Sequence, residues 1–470
     1  MKLVAFSFAF AVVASAFAAP EVTISSATKQ TDGTYRIDYA LTGGPAIITA
    51  DVLTNGVAMN GVCGFAGDVH KRIAEDGDYS VVWDPKVAEL PALDSLRFSV
   101  KAWETNSPPD YIVIDLSVNS PVLQYYLSEK AIPGGLLENC TYRTTALVMR
   151  RIHAAGITWT MGCDGAYFGP SWRKYTNEKE HQVTLPHDFY IGVFPITQQQ
   201  WNIVIGSIDN SSCNPLFNCP GWRWMRPAER IIGNMIREQA QSIPDDEHHY
   251  EKSRYPNPPA EGKLVTRLRT RSGIPDFDLP GEAQWEYACR AGHAPNEWGD
   301  GTPIVRSEWV DETGVRRVGD HDLPGRYAVN GGKGEGIYAP YWTTNPTNRL
   351  PIVGTPVVGS YRPNSWGLYD MNGGVREICL DYYQDDITRF TKGEVNAYEH
   401  KYGDKTPLPA EWGTNPHRVV RGGGCNGTWS ECVPTFRGDV KQSSFSGSED
   451  IGVRVICYHG LDTWTPPADR

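Results

Sequence analysis

Short runs of alternating apolar and polar residues occupy the first quarter of the chain. Residues 35–39, 79–83 and 96–100 alternate in this way, and turn-forming residues separate them. Alternation with a period of two indicates half-buried strands, and strands at this spacing are typical of a small antiparallel sandwich. We therefore predict an immunoglobulin-like β-sandwich over residues 20–118. Its single histidine, His70, is expected to be a packing or surface residue.

A continuous apolar run, rather than an alternating one, opens the chain. Lys2 precedes apolar residues 3–14, and the small residues Ala16 and Ala18 offer a cleavage site. This arrangement is typical of a signal peptide, and the run is too short to remain as a membrane-spanning anchor. We predict cleavage after residue 18 or 19, a secreted or periplasmic location, and no transmembrane anchor in the mature chain.

A stretch that bears proline and glycine follows the sandwich. We predict a linker over residues 119–141, a second domain over residues 142–460 and a tail over residues 461–470. The 47 glycines and 34 prolines favour turns and short strands over long helices. Residues 245–249 combine acidic and histidine side chains, but without a fixed ligand spacing, which favours a solvated loop over a metal site.

The charge of the chain excludes one class of partner. The formal net charge is -11 at pH 7, and the sequence contains no block of basic residues. An acidic surface of this kind is a poor match for nucleic acid and for anionic lipid. We therefore predict no nucleic-acid partner.

One segment of the second domain has the pattern of a helix. Pro280 stands at its start, and Gly292 lies past its end. Trp285 and Cys289 are four residues apart, which places them on the same face of a helix. The pattern predicts a helix over residues 282–288.

Five segments of the second domain resemble, in the same order, the motifs of a known family. They are residues 156–162 (GITWTMG), 181–201 (from HQVTL to ITQQQW), 279–288 (LPGEAQWEYA), 358–371 (from VGS to PNSWGLYDM) and 418–455 (from RVVRGG to IGVRV). Together they resemble the formylglycine-generating enzyme, or sulfatase-modifying factor, family. The resemblance covers most of the second domain and implies a C-type-lectin-like fold. The expected fold class is α+β, with the immunoglobulin-like β-sandwich in front.

The resemblance also implies a copper site after the R-G-G turn. In the family's enzymes two cysteines there, separated by four residues, bind Cu(I), and soft thiolates are the ligands that Cu(I) prefers. Cys432 matches the second position, but Gly427 stands at the first, and Cys425 lies two residues earlier. That shift corresponds to about 6–7 Å of extended chain, whereas ligation tolerates only a few tenths of an ångström. Cys425 and Cys432 are the candidate catalytic and copper-binding residues, with a purely structural role as the alternative.

A calcium ion is the second cofactor that the resemblance suggests. The family commonly reads H-G-N-V-W-E-W after Y-D-M, where this chain has Gly374 in place of Asn and Arg376 in place of Trp. Glu377 is retained and is the candidate calcium ligand, since calcium binds several oxygens. The alternative is a structural ion pair between Glu377 and Arg376 or a neighbour.

All ten cysteines lie beyond the predicted signal peptide, and an oxidising compartment favours disulfides. The family resemblance implies a bridge between Cys289, at its helix position, and Cys457, two residues beyond the family's closing position. Cys213 with Cys219 is predicted as a local bridge, and Cys379 with Cys432 as a further pair.

Two functional hypotheses follow. In the first, the protein is a copper oxidase that converts a cysteine of a partner, such as a sulfatase or another exported protein, to formylglycine. In the second, it is a non-enzymatic ligand- or protein-binding domain that keeps the fold and has lost the copper site. The second hypothesis expects Cys425 or Cys432 to be buried or bridged, and Trp429 to face solvent as a ligand contact.

Overall fold

The computed structural model describes residues 19–59, 61–88, 96–163, 178–206, 223–237, 259–305, 307–310, 316–319, 324–325, 355–383, 417–425, 427–441 and 450–461. The predicted signal peptide (except residue 19), the 245–249 stretch, the predicted Cys213–Cys219 bridge and nearly all of the predicted tail lie outside these residues. The chain divides into two compact units, Met1–Thr105 and Asn106–Arg470. Both units are mostly β, as the sequence predicted.

Two four-stranded antiparallel sheets form the described part of the first unit. One has the order β1-β2-β7-β5, and in the other β3 pairs with β4, β6 and β8. The strands are β1 (Glu21–Lys29), β2 (Tyr35–Thr42), β3 (Ala46–Thr54), β4 (Val57–Ala58), β5 (Phe65–Gly67), β6 (Lys71–Ile73), β7 (Gly77–Trp83) and β8 (Leu96–Glu104).

The two sheets of the first unit share one apolar core. Ile37 and Trp83 enter it from the first sheet, and Ile48 and Val52 from the second, all fully buried or nearly so. A shared core between two sheets makes a sandwich. The predicted strands lie within β2, β7 and β8, whereas the immunoglobulin-like class of the sandwich stays a prediction.

The described residues of the second unit form two larger sheets and two antiparallel strand pairs. The sheets have the orders β10-β9-β11-β14-β21 and β19-β18-β17-β20, the two strand pairs are β12–β13 and β15–β16, and of all these pairings only β17 with β20 is parallel. The strands are β9 (Tyr111–Asp115), β10 (Gln124–Tyr126), β11 (Ala146–Ile152), β12 (Ile157–Met161), β13 (His181–Leu185), β14 (Phe189–Gly192), β15 (Ser307–Val310), β16 (Arg316–Gly319), β17 (Arg376–Tyr382), β18 (His417–Arg421), β19 (Gly438–Lys441), β20 (Ile451–Gly452) and β21 (Ile456–Cys457).

The helices in the described part of the second unit are few and short, as expected for the family fold. Those within its described part are α1 (Gln198–Ile205), α2 (Gly233–Ile236), α3 (Leu264–Ser272) and α4 (Glu282–Arg290). No helix in this part is long and apolar enough to cross a membrane. The predicted helix is α4, which ends at Arg290 and is capped by Ala291, a residue in the left-handed conformation with φ 49° just before Gly292.

The boundary between the units lies earlier than the sequence suggested. It falls between Thr105 and Asn106 instead of at residue 118, because β9 pairs with β11 of the second unit. Four of the five residues of β9 are buried, on both faces of the strand. A continuous apolar run is typical of such a central strand, whereas an alternating pattern indicates a strand with one wet face. The predicted linker also contains β10, which pairs with β9.

Candidate functional site

The candidate site includes a group of buried charges, which consists of two glutamates of α4 and their arginine partners. Glu282 and Glu286 are one turn apart on α4, and both are buried. Two carboxylates at this spacing repel each other unless cations separate them. Arg421, at the end of β18, places Nε 2.9 Å from Glu282 Oε1 and Nη2 2.6 Å from Glu286 Oε2. Arg437 adds a second cation, with Nη2 2.9 Å from Glu282 Oε2.

The arginine partners determine whether the buried Glu282 carboxylate is ionised. Burial alone would raise the pKa of Glu282, but the charges of Arg437 and Arg421 outweigh it and lower that pKa. Glu286 Oε1 accepts the backbone N–H of Gly162 at 2.9 Å, which ties the loop after β12 to α4. The glutamates of α4 and their arginine partners therefore form an ion-pair network. Together with the bond from Gly162, this network connects α4, β18 and the segment after β12.

Glu377 belongs to a second buried ion pair. Arg454 donates Nη2 to Glu377 Oε1 at 2.8 Å and Nε to Glu377 Oε2 at 2.9 Å, and the indole N–H of Trp285 donates to the same Oε2 at 2.6 Å. The carboxylate is fully buried, and the structural ion pair predicted with Arg376 or a neighbour is formed with Arg454. Both oxygens already accept hydrogen bonds from cationic or N–H donors, so the residues around Glu377 do not fit a calcium ion.

Cys432 ends the turn that follows the R-G-G segment. Its side chain is fully buried, and the thiol donates to the carbonyl of Thr428 at 3.7 Å. Burial raises the pKa of the Cys432 thiol well above its ordinary value, and the negative charges of Glu431 and Asp450 raise it further. The surroundings therefore favour the neutral thiol over the thiolate.

Gly427 has a carboxylate as its neighbour. A Cβ at Gly427 would lie 2.5 Å from Glu431 Oε2, within the space that this side chain now fills. A side chain at the position of the family's first cysteine would therefore require the Glu431 carboxylate to shift. Cys425 is also buried, and its backbone N–H donates to the carbonyl of Gly374 at 2.9 Å.

An ion pair packs against the same loop. Arg376, the replacement for the family's Trp, places Nη2 2.7 Å from Asp450 Oδ1, and its backbone N–H donates to the Asp450 carbonyl at 2.7 Å. A Cβ at Gly424 would lie only 1.9 Å from Asp450 Oδ2, so glycine is required for this contact. The loop before Cys425 is therefore held against a charged pair.

Trp429 was expected to face solvent, and the structure corrects this expectation. It lies in a small buried cluster with Trp298, Cys432 and Val433. The short helix Trp429–Glu431 turns the indole inward, whereas Thr428 is exposed, Ser430 is partly exposed, and their hydroxyl oxygens are 2.8 Å apart. Polar side chains, and not Trp429, form the exposed face of this turn.

Comparison with known proteins identifies the second unit. A family model described as a sulfatase-modifying factor enzyme 1-like domain matches residues 156–458, well over half of the chain. The chain belongs to this family. That result confirms the family resemblance that the five sequence motifs indicated.

The individual relatives have low sequence identity to this chain. The chaperone protein LppX of Paenibacillus barcinonensis is 28% identical over 280 residues, which cover 55% of this chain and 87% of that protein. A formylglycine-generating enzyme of Streptomyces coelicolor is 31% identical over 146 residues, which cover 31% of this chain and 35% of the enzyme. The Treponema denticola variable protein 1 structure gives a TM-score of 0.42 at 18% identity, covering 67% of this chain and 96% of that one.

The disulfide that the family resemblance implied does not form. Cys289 and Cys457 are both free thiols. Adjacent residues of a strand point to opposite faces, and in β21 it is Ile456 that shares a core cluster with Cys289. Cys457 therefore faces away from Cys289. The Cys379–Cys432 pair does not form either, because these free thiols lie in different core clusters.

Two charged residues of the site were not predicted from the sequence. Arg437 and Asp450 were not singled out, although each holds part of the site. A signal for Arg437 was present, because Glu282 and Glu286 on one helix face require cations nearby. No comparable signal pointed to Asp450. Within the described residues, no group of three or more His, Cys, Asp or Glu side chains is arranged to hold a metal ion.

Proposed function

We propose that this protein is an exported member of the sulfatase-modifying factor family that binds a partner protein and no longer carries copper oxidase chemistry. The proposal of export depends on the signal-peptide pattern of residues 1–19. The proposal of binding without oxidation depends on the surroundings of two positions, Gly427 and Cys432. The proposed partner is an exported protein, with sulfatases as one class of candidate.

The observation that carries the proposal is the absence of a cysteine at position 427, where the family's enzymes carry their first copper ligand. Cu(I) in this family is held by two thiolates, and metal ligation tolerates small displacements only. Here the first position is Gly427, where the Glu431 carboxylate lies 2.5 Å from any added Cβ. Cys432 itself is fully buried, and nearby negative charges oppose its ionisation. Without a thiol at position 427 the chain does not reproduce the family's pair of copper cysteines, and the proposal therefore contains no oxidation step.

A protein-binding role is supported by two features. The turn at residues 428–431 presents hydroxyl groups and the Glu431 carboxylate on a loop fixed by the Arg376–Asp450 pair, and rigid loops with polar side chains are suited to recognition. The relative matched over most of its length, LppX, is named a chaperone protein. A chaperone binds partner proteins without changing their covalent structure.

Copper binding tests the proposal most directly. The reduced full chain is titrated with Cu(I) against a competing chelator, alongside Cys432→Ser and, as a matched control, Cys140→Ser, which removes an exposed free thiol. We expect no tight one-to-one site that depends on Cys432. Tight binding that disappears in Cys432→Ser and persists in Cys140→Ser would restore the oxidase hypothesis.

Partner binding is tested with an unfolding client. Light scattering follows the aggregation of a reduced exported sulfatase, with and without the full chain. We expect suppression of aggregation near one-to-one stoichiometry, and a loss of this effect when Thr428→Lys and Glu431→Lys change the turn. Mass spectrometry of the client supplies the second readout, and conversion of a client cysteine to an aldehyde would contradict the proposal.

A further inference from the structure

Two opposite charges of the second unit lie near each other without forming an ion pair. Arg150 of β11 and Glu129, between β10 and β11, are both partly buried. Burial raises the pKa of Glu129, whereas the bond from the Tyr369 hydroxyl and the charge of Arg150 act in the opposite direction. Among the described residues, however, neither Arg150 nor Glu129 has an oppositely charged atom within 4.0 Å. Charges removed from water are normally paired, so both of these require another source of compensation.

The guanidinium of Arg150 is held in place but has donors to spare. Its Nη1 donates to the Tyr111 hydroxyl at 2.6 Å, and its Cζ lies 5.0 Å from the centre of the Tyr111 ring. Arg150 Nε is buried without a hydrogen-bond partner, and Nη2 makes no hydrogen bond to the described part of the chain either. Buried polar groups of native proteins are nearly always satisfied by protein, water or a bound ligand. The unused N–H groups therefore indicate an acceptor from outside the chain.

The Tyr111 hydroxyl is a second unused donor. Tyr111 is only 2% exposed, and burial raises its pKa, so the hydroxyl keeps its proton. The oxygen accepts from Arg150, but the hydroxyl hydrogen has no acceptor within the described residues. A Cβ at Gly367 would lie 3.2 Å from Tyr111 Oη and 3.5 Å from Glu129 Oε2, yet these two oxygens make no hydrogen bond to each other. A side chain at Gly367 would enter the space between them, which glycine leaves open.

Glu129 supplies an acceptor on the other side of this space. Its Oε1 accepts the Tyr369 hydroxyl at 3.2 Å, and the Tyr369 ring packs on Phe194 with centroids 5.1 Å apart. Its Oε2 makes no hydrogen bond within the described part of the chain. The carboxylate is therefore fixed through one oxygen and open through the other. A ligand entering the space meets the donors of Arg150 and Tyr111 on one side and this acceptor on the other.

The two separated charges determine which class of ligand the space accepts. An anion alone is attracted by Arg150 and repelled by Glu129, and a cation alone meets the reverse. Water satisfies single hydrogen bonds, but it has no charge to compensate either side chain. A molecule that carries a carboxylate and an ammonium on the same carbon compensates both, because each of its ends makes a charge-assisted hydrogen bond.

From these contacts we infer that Arg150, Tyr111 and Glu129 form a binding site for a free α-amino acid. The carboxylate of the ligand accepts hydrogen bonds from the Arg150 guanidinium and the Tyr111 hydroxyl. Its ammonium donates to Glu129 Oε2, and the backbone of Gly367 lies beside it. These residues are different from those of the cysteine loop, and the site stands whether or not the proposed function holds.

The test titrates the full chain with each of the standard amino acids in turn, by isothermal titration calorimetry. We expect saturable one-to-one binding of at least one of them. Its N-acetyl derivative lacks the ammonium and its carboxamide lacks the carboxylate, so each should bind about tenfold more weakly or worse. Absence of binding by every amino acid would overturn the inference. Equal binding of either derivative would overturn it as well, since a single charge would then be sufficient.

Three variants separate recognition from folding. In Glu129→Gln the amino acid should bind no better than its N-acetyl derivative, and in Arg150→Met no better than its carboxamide, because one charge of the ligand has lost its partner. Tyr111→Phe keeps the ring beside Arg150 and removes only the hydroxyl, so it should weaken binding by about two- to tenfold. The matched control Glu138→Gln removes an exposed carboxylate close to Glu129 and should leave the affinity unchanged. Variants that weaken the amino acid and both derivatives by the same factor would overturn the assignment, because they would act through folding alone.

Discussion

The two units of this protein are stabilised by different chemistry. In the first unit the largest fully buried side chains are Trp83 and Tyr39, and the core between the sheets is apolar. In the second unit Arg421 and Arg454, each paired with a buried carboxylate, are among the largest fully buried side chains of the described residues. The first interior therefore depends mainly on packing, although Asp51 and His70 are also buried there, and the second depends on matched charges as well.

This difference determines how each interior responds to substitution. An apolar core loses free energy in proportion to the volume removed and accepts conservative changes. A buried charge network loses much more when one partner is removed, because the remaining charge is left without compensation in a poorly polarisable interior. We infer that the charges of the second unit specify where α4, β17 and β18 meet, and the predictions below test this contrast.

The largest effect is expected for Arg421→Met. The substitution removes the cation shared by Glu282 and Glu286, and breaking such a buried pair typically costs about 3–5 kcal/mol of the free energy of unfolding. The charges of Arg437 and Arg421 now lower the pKa of Glu282, and loss of Arg421 raises it, so the destabilisation should be small near pH 4 and should grow as the pH rises. Denaturant unfolding at several pH values measures it, and hydrogen exchange assigns it to the second unit.

A control for this prediction is Arg36→Met, which removes an exposed cation of the first unit. It should leave the unfolding of both units unchanged within error. A destabilisation by Arg421→Met that does not vary with pH would show that lost packing, and not the uncompensated carboxylates, is responsible.

A smaller effect is expected in the apolar interior. Ile48 of β3 is fully buried in the core of the sandwich, and Ile48→Val removes one methylene group. The cost should be about 1 kcal/mol, confined to the first unit and the same at every pH at which the unit folds. Hydrogen exchange of β3 and β8 measures it. A pH-dependent cost would contradict the contrast between the two interiors.

The smallest effect concerns an exposed charge cluster on the second unit. His153 Nε2 lies 3.0 Å from Asp110 Oδ1, and His153 Nδ1 lies 3.3 Å from Asp188 Oδ2. The bonds to Asp110 and Asp188 raise the pKa of His153 from 6.5 to about 9. A raised histidine pKa stabilises the folded state fully below pH 6.5, and this contribution disappears as the pH rises through about 9.

The comparison of the wild type with His153→Gln checks that window. Because 61% of the His153 side chain is exposed, solvent screens the interaction, and the effect should be below that of Ile48→Val. The difference in stability between the two proteins should shrink from pH 7 to pH 10. A constant difference over this range would mean that His153 contributes by packing instead of charge.

Local pattern made several features of the fold predictable. The alternating runs correspond to β2, β7 and β8, and the helix pattern from Pro280 to Gly292 corresponds to α4. The motif order identified the family. In each case the signal is carried by neighbours in sequence, since strand and helix periodicity are local properties.

Features that depend on distant segments were predicted poorly. The boundary between the units lies earlier than predicted because β9 pairs with β11 of the second unit. The predicted Cys289–Cys457 bridge is absent because Ile456, and not Cys457, lies on the face of β21 that packs with Cys289. The orientation of Trp429 is set by Trp298, which lies far away in sequence. Spacing along the chain does not specify which face of an element meets another.

The sequence by itself determined the family, the mostly β composition, the position of α4 and the absence of a cysteine at Gly427, because these follow from residue identity and local periodicity. Only the tertiary structure decided that Glu377 pairs with Arg454, that Glu431 fills the space beside Gly427, and that three separate segments bring Trp159, Tyr287 and Trp366 together. The physical reason is that charge pairing and ring packing act through space over a few ångströms, between residues that the chain separates widely.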